Sequence, residues 1–138
     1  MLKNRCRTLL LTLVTIAAGA HAAGEWTFPA GDYANTRFSD LTDIAAGNVA
    51  NLELAFSFST GVVRGHEAAP VVAGNTMYVI TPFPNYLYAL DLTRPTAPVK
   101  WRFAPNPQPR SQGIACCDYV NRGVAVADGR VFFNTLDA

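Results

Sequence analysis

One stretch of this sequence is written twice. Val72-Ala73-Gly74-Asn75-Thr76-Met77-Tyr78-Val79 lines up with Val126-Ala127-Asp128-Gly129-Arg130-Val131-Phe132-Phe133 at an offset of 54 residues. Each copy is a run of strand-forming residues, a two-residue turn and a second run, the pattern of a tight antiparallel hairpin. A hairpin that recurs every 40–50 residues or so is the mark of a β-propeller, whose blades are four short antiparallel strands. The excess over a minimal blade falls to Pro105-Asn106-Pro107-Gln108-Pro109, an extended, non-helical loop. The alternative is two unrelated hairpins.

The residues around the copies read as further strands. Leu52-Glu53-Leu54-Ala55-Phe56-Ser57-Phe58-Ser59 puts Leu52, Leu54, Phe56 and Phe58 on one face at period two. Val71–Ala73 and Thr76–Thr81 flank the Gly74-Asn75 turn, Tyr86–Asp91 follows, and Val99–Phe103 is next. Helix signals are poor. The best is 40–51, where Thr42 or Asp43 caps a short turn before Ile44 that Gly47 and Asn48 stop. The expected fold is therefore all-β: about one blade and the start of the next. One such unit cannot bury both faces of its sheet, and three or more are needed. Because the sequence ends at Ala138 just after a strand, a chain truncated at its C-terminus is expected.

The first residues belong to a different problem. Lys3, Arg5 and Arg7 precede an apolar run from Leu9 to Ala18, and Ala20-His21-Ala22 is a small-x-small cleavage site. This is the layout of a secretory signal peptide over residues 1–22. Ten helical residues reach about 15 Å, half the thickness of a hydrocarbon core, which argues against a membrane anchor. The expected product is an exported, periplasmic chain of residues 23–138. It keeps eight basic and ten acidic residues, one histidine (His66) and two cysteines. That balance carries no basic footprint for a nucleic-acid partner. With one histidine and no spaced cysteine pairs, a Cys/His zinc site within this segment is excluded. His66 is the one available base for a Ser or Cys triad, but a histidine hydrogen-bonded within a loop is the favoured reading.

Cys116 and Cys117 are adjacent. In an oxidising compartment they could bond to each other. Neighbouring Cα atoms lie about 3.8 Å apart, below the usual disulfide span of about 4.4–6.8 Å, so such a ring is strained. It closes a minimal loop and adds almost no stability by loop closure. A rigid surface beside a ligand explains it better. Two buried thiols, or pairing with a cysteine beyond residue 138, remain open on the residues alone.

Three segments, in order, carry a resemblance. Gly113-Ile114-Ala115-Cys116-Cys117-Asp118-Tyr119-Val120-Asn121-Arg122-Gly123 closely resembles the CCDxVNRG segment of pyrroloquinoline-quinone-dependent alcohol dehydrogenases. Arg64-Gly65-His66-Glu67-Ala68-Ala69-Pro70 resembles their RGHE-x-x-P loop, and the 81–91 stretch resembles their TPxPNxxYALD strand. The resemblance runs from about Trp26 to the end, and within the family is greatest to methanol dehydrogenase large subunits, leaning to the lanthanide-using over the calcium-using branch.

The resemblance implies an eight-bladed propeller with the quinone in a central funnel. Cys116 and Cys117 would form a vicinal disulfide against one face of the quinone, Arg122 would pair with a cofactor carboxylate, and Glu67 would line the pocket. A guanidinium suits that task because its donors form a fork. The family's reaction oxidises methanol or other primary alcohols, with a calcium or lanthanide ion as Lewis acid, and passes electrons to a periplasmic cytochrome c. A homodimer or a complex with a small subunit is implied for the full-length protein. The catalytic base and metal ligands of the family lie further along the chain, so no catalytic or metal residue is placed here and the segment alone is expected to be inactive.

One departure touches the blade. The family's Ala-x-Asp-x-x-Thr-Gly-x-x-x-Trp motif is matched at Ala89 and Asp91, but Trp101 falls two residues late and 93–98 replaces the usual turn. Two other readings compete with the enzyme. A non-catalytic exported propeller that binds protein partners would have no reason to keep Cys116, Cys117, Glu67 and Arg122 together. A degenerate remnant would not fold.

Overall fold

The structure, a computed structural model, describes residues 24–114 and 119–137. The expected signal peptide and the Cys116–Cys117 pair lie outside the described residues. Four strands form one antiparallel meander in chain order: β1 (Val71–Ala73), β2 (Thr76–Ile80), β3 (Leu87–Asp91) and β4 (Val99–Phe103). A second hairpin follows, β5 (Ala125–Ala127) with β6 (Arg130–Phe132).

The repeated stretch folds as a structural repeat. Val71, Val72 and Ala73 pair with Tyr78, Met77 and Thr76, and Ala125, Val126 and Ala127 pair with Phe132, Val131 and Arg130, the same register shifted by 54 residues. The turns differ in detail. Asp128 and Gly129 both have positive φ, as a type I′ turn requires, whereas in the first copy only Gly74 does. Glu25 Oε1 accepts a hydrogen bond from Gly74 N–H at 2.7 Å and steadies that turn.

β3 is apolar on both faces because both faces are covered. Alternation sends Leu87 one way, into a cluster with Val71, Ile80 and Val124 against which Tyr78, Val126, Val131 and Phe133 pack. Tyr88 and Leu90 go the other way, into a cluster with Ala97, flanked by Phe56, Phe58, Met77 and Val79. The sheet is thus pressed between the second hairpin and the 56–58 segment, which is the stacking logic of successive propeller blades. Trp26 stitches the arrangement at the edge, exchanging two 2.8 Å backbone hydrogen bonds with Val72, while Thr27 O accepts from Val126 N–H at 3.2 Å.

The late tryptophan is accommodated without breaking the sheet. Ala89 pairs with Trp101 but Leu90 pairs with Val99, so Lys100 is bulged out of the ladder. The residues replacing the usual turn close through Asp91, whose Oδ1 accepts from Thr93 N–H at 3.0 Å and Thr93 O–H at 2.7 Å. The Thr93 hydroxyl and amide, with Lys100 adding a weaker pull, hold the Asp91 carboxyl below its ordinary range.

Two expectations are corrected. Residues 52–59 form no strand: the segment is extended and turns Phe56 and Phe58 inward, but Leu52 and Leu54 are exposed. Its period-two pattern marks a covered face, whereas a strand also needs a hydrogen-bonded neighbour, and none pairs with it among the described residues. The turn near residue 44 is not capped by Thr42 or Asp43. Asn48 clasps it instead, accepting from Ala45 N–H and donating to Asp43 O, both at 2.7 Å, ahead of a single 3-10 turn at Val49–Asn51. The Pro-rich loop is non-helical up to Gln108, and Pro109 then opens a second 3-10 turn, Pro109–Ser111.

Candidate cofactor site

The antiparallel order puts the entry to β1, the β2–β3 turn and the entry to β5 at one end of the sheets. The three motif-bearing segments are these three connections. Glu67 lies four residues before β1 and Arg122 three residues before β5, nearly equivalent places in the two repeats. Stacking the repeats therefore brings their side chains together: Arg122 Nη1 sits 2.7 Å from Glu67 Oε2.

Each partner is held by its own loop. Asn121 is buried; its amide nitrogen donates to Asn134 O at 2.9 Å and its Oδ1 accepts from Gly123 N–H at 3.0 Å. This ties the loop carrying Arg122 to the chain leaving β6. Gly123 has φ +120, a conformation that favours glycine at the residue after Arg122, and a Cβ there would meet Pro29 Cγ at a tight 3.3 Å. On the other side, Tyr88 O–H donates to Thr60 O at 2.9 Å and fixes the start of the loop carrying Glu67 to β3.

The remaining contacts join the loops to one another. Phe83 N–H donates to Tyr119 O at 2.8 Å, linking the β2–β3 turn to the 119–123 segment. The Arg64 guanidinium lies 4.2 Å from the centre of the Tyr119 ring, a cation–π contact that joins the loop carrying Glu67 to the same 119–123 segment. His66 is hydrogen-bonded within its loop, to Arg64 O at 2.8 Å and the Thr60 hydroxyl at 3.1 Å, in keeping with a structural rather than a triad histidine.

The side chains of Arg122 and Glu67 remain 74% and 48% exposed, so their pair contributes little to stability, roughly 0–1 kcal/mol. Among the described residues Nη1 is the guanidinium nitrogen engaged by a carboxylate, and most of the Arg122 side chain is exposed. Such a donor set suits a carboxylate-bearing ligand. An open groove of 720 Å³ runs along β5 and β6; Arg122 is one of its walls and Glu67 is not. Among the described residues no three His, Cys, Asp or Glu side chains gather as a metal site would need.

The chain is similar to known proteins over most of its length. A profile of the family described as "PQQ: Glucose/ethanol/alcohol dehydrogenase, beta-propeller domain" matches residues 26–138. The chain belongs to this PQQ-dependent dehydrogenase family. Among relatives of the PQQ propeller, the lanthanide-dependent methanol dehydrogenase of Methylacidiphilum fumariolicum is 50% identical over 114 residues, covering 83% of this chain and 19% of the relative. That of Methylorubrum extorquens is 54% identical over 106 residues, 77% of this chain and 18% of the relative. A solved structure, a europium-containing methanol dehydrogenase, superposes with a TM-score of 0.79 at 48% identity, over 83% of this chain and 20% of that one. The chain thus spans about a fifth of the length of these relatives, and its fold is a small part of a PQQ propeller.

Of the four residues expected at the site, the structure brings Glu67 and Arg122 together; Cys116 and Cys117 lie outside the described residues. The supporting ties carried no sequence signal, because the Tyr88 hydroxyl and the Asn121 amide donate to backbone carbonyls, those of Thr60 and Asn134, 28 and 13 residues away.

Proposed function

We propose that this chain forms one wall of the cofactor site of an exported, periplasmic alcohol dehydrogenase that uses pyrroloquinoline quinone. The observation that carries the reading is the Glu67–Arg122 pair, assembled from two separate motifs and left open to a ligand. Arg122 would hold a carboxylate of the quinone through the free arm of its fork, as charge-assisted pairs do at about 1.5–3 kcal/mol. Glu67 would orient the guanidinium from the opposite side. Cys116 and Cys117, joined as a vicinal disulfide, would supply a flat, polarizable plate without an exchangeable proton. The bound quinone supplies the two-electron oxidant.

Methanol or another primary alcohol is the proposed substrate, and a cytochrome c the proposed electron acceptor. A lanthanide ion is favoured over calcium on the names of the two relatives above, its ligands belonging to sequence outside this chain. The full-length protein would carry eight blades and associate as a homodimer or with a small subunit. Activity belongs to that length of chain, because this segment holds neither the base nor the metal ligands. The test is dye-linked methanol oxidation. A full-length chain carrying residues 23–138, loaded with quinone and lanthanide, should turn over, and the 138-residue chain under the same conditions should not. An inactive full-length holoprotein, or activity of the short chain above background, contradicts the proposal.

A further inference from the structure

Resting on that reading, we propose that His66 is a positioning residue for the quinone carboxylate site, acting through the Thr60–His66 clasp that presents Glu67 to Arg122. A carbonyl oxygen only accepts hydrogen bonds, so the 2.8 Å contact with Arg64 O assigns a proton to Nδ1. In the neutral ring Nε2 is then an acceptor for the Thr60 hydroxyl at 3.1 Å. Val62 N–H donates to the same Thr60 oxygen at 3.3 Å, which leaves the hydroxyl proton free to point at the ring. The backbone carbonyl of Thr60 is in turn anchored by Tyr88 O–H from β3.

The clasp closes a turn of seven residues, 60–66, and Glu67 is the next residue. The loop has no strand or helix to stiffen it and most of its side chains are exposed. Its shape is therefore set by these few hydrogen bonds. Without the imidazole, Glu67 would lose its fixed approach to Arg122, and the guanidinium would meet the cofactor from a wider range of directions. Orientation matters here more than charge, because a pair this exposed gains little from Coulomb attraction alone. Arg64, whose carbonyl accepts the Nδ1–H hydrogen bond, also stacks on Tyr119, so the clasp reaches the segment that follows the cysteine pair.

The test uses the full-length chain freed of quinone and measures the dissociation constant for pyrroloquinoline quinone by tryptophan fluorescence quenching, with a thermal melt of each variant. H66A should weaken binding about tenfold. T60V, which removes the hydroxyl but keeps the side-chain shape, should do the same and carries the test should H66A not fold. Both losses should shrink to less than about twofold in an E67Q background, since the clasp then has no carboxylate to place. Unchanged affinity in T60V, or a loss undiminished by E67Q, overturns the role assigned to His66. A wild-type chain that fails to bind the quinone at all instead defeats the functional reading beneath it, and the two failures are distinguishable.

Discussion

Arg122 is followed by a residue whose backbone conformation strongly favours glycine. Gly123 holds φ +120 beside Pro29, and both the dihedral and the contact disfavour a side chain. G123A should therefore cost about 1–3 kcal/mol, read by denaturant unfolding of the full-length chain. It should also weaken quinone binding, since the strain falls on the loop that Asn121 ties down. At the same scale, Cys116 and Cys117 are proposed to be bonded to each other. Mass spectrometry of the unreduced protein should find their peptide unreactive toward alkylation and two hydrogens lighter than the dithiol. Alkylation of both thiols without reduction would remove the plate from the site. Glu67 and Arg122 were legible because motif residues announce themselves in a linear sequence. Asn121 and Tyr88 stand in the same motifs, but the ties they make to Asn134 O and Thr60 O were not legible, because a hydrogen bond to a distant carbonyl leaves no mark on residue type.

Among the elements, β3 bears most of the packing. Leu90 is buried in the cluster facing Phe56 and Phe58, and L90A should destabilise by about 2–5 kcal/mol with the cavity it leaves. The turn after β3 contributes a pH dependence of known sign. The Asp91 carboxyl is held below its ordinary value by Thr93, so its charged form is favoured by folding. That stabilisation is complete above the unfolded value near pH 3.9 and is lost as pH falls through the lower folded value. D91N should accordingly flatten the acid limb of the stability curve below about pH 4 and leave it parallel to wild type at pH 7. The hairpins were legible down to their register because turn chemistry and period-two alternation are both local. The 52–59 segment was misread because alternation reports which face is covered and says nothing of whether a neighbouring backbone is there to pair with.

For the molecule as a whole, the repeat and the site are one fact. Stacking two units at a 54-residue offset buries the shared cluster of Val71, Ile80, Leu87 and Val124, and the same stacking brings Glu67 against Arg122. Packing between blades therefore sets the spacing of the charged pair, and a site built this way cannot form before the blades dock. V124A, in the shared cluster, should lower both stability and quinone affinity, whereas L90A on the opposite face should lower stability alone; paired melts and titrations of the two variants check this. The titration that bears most directly on the account compares the quinone-free full-length chain with R122K and R122A. Affinity should fall from wild type to R122K to R122A, by roughly 10–100-fold in all, as expected for losing a charge-assisted fork. An R122A variant that binds pyrroloquinoline quinone as tightly as wild type would contradict the claim that this wall holds the cofactor.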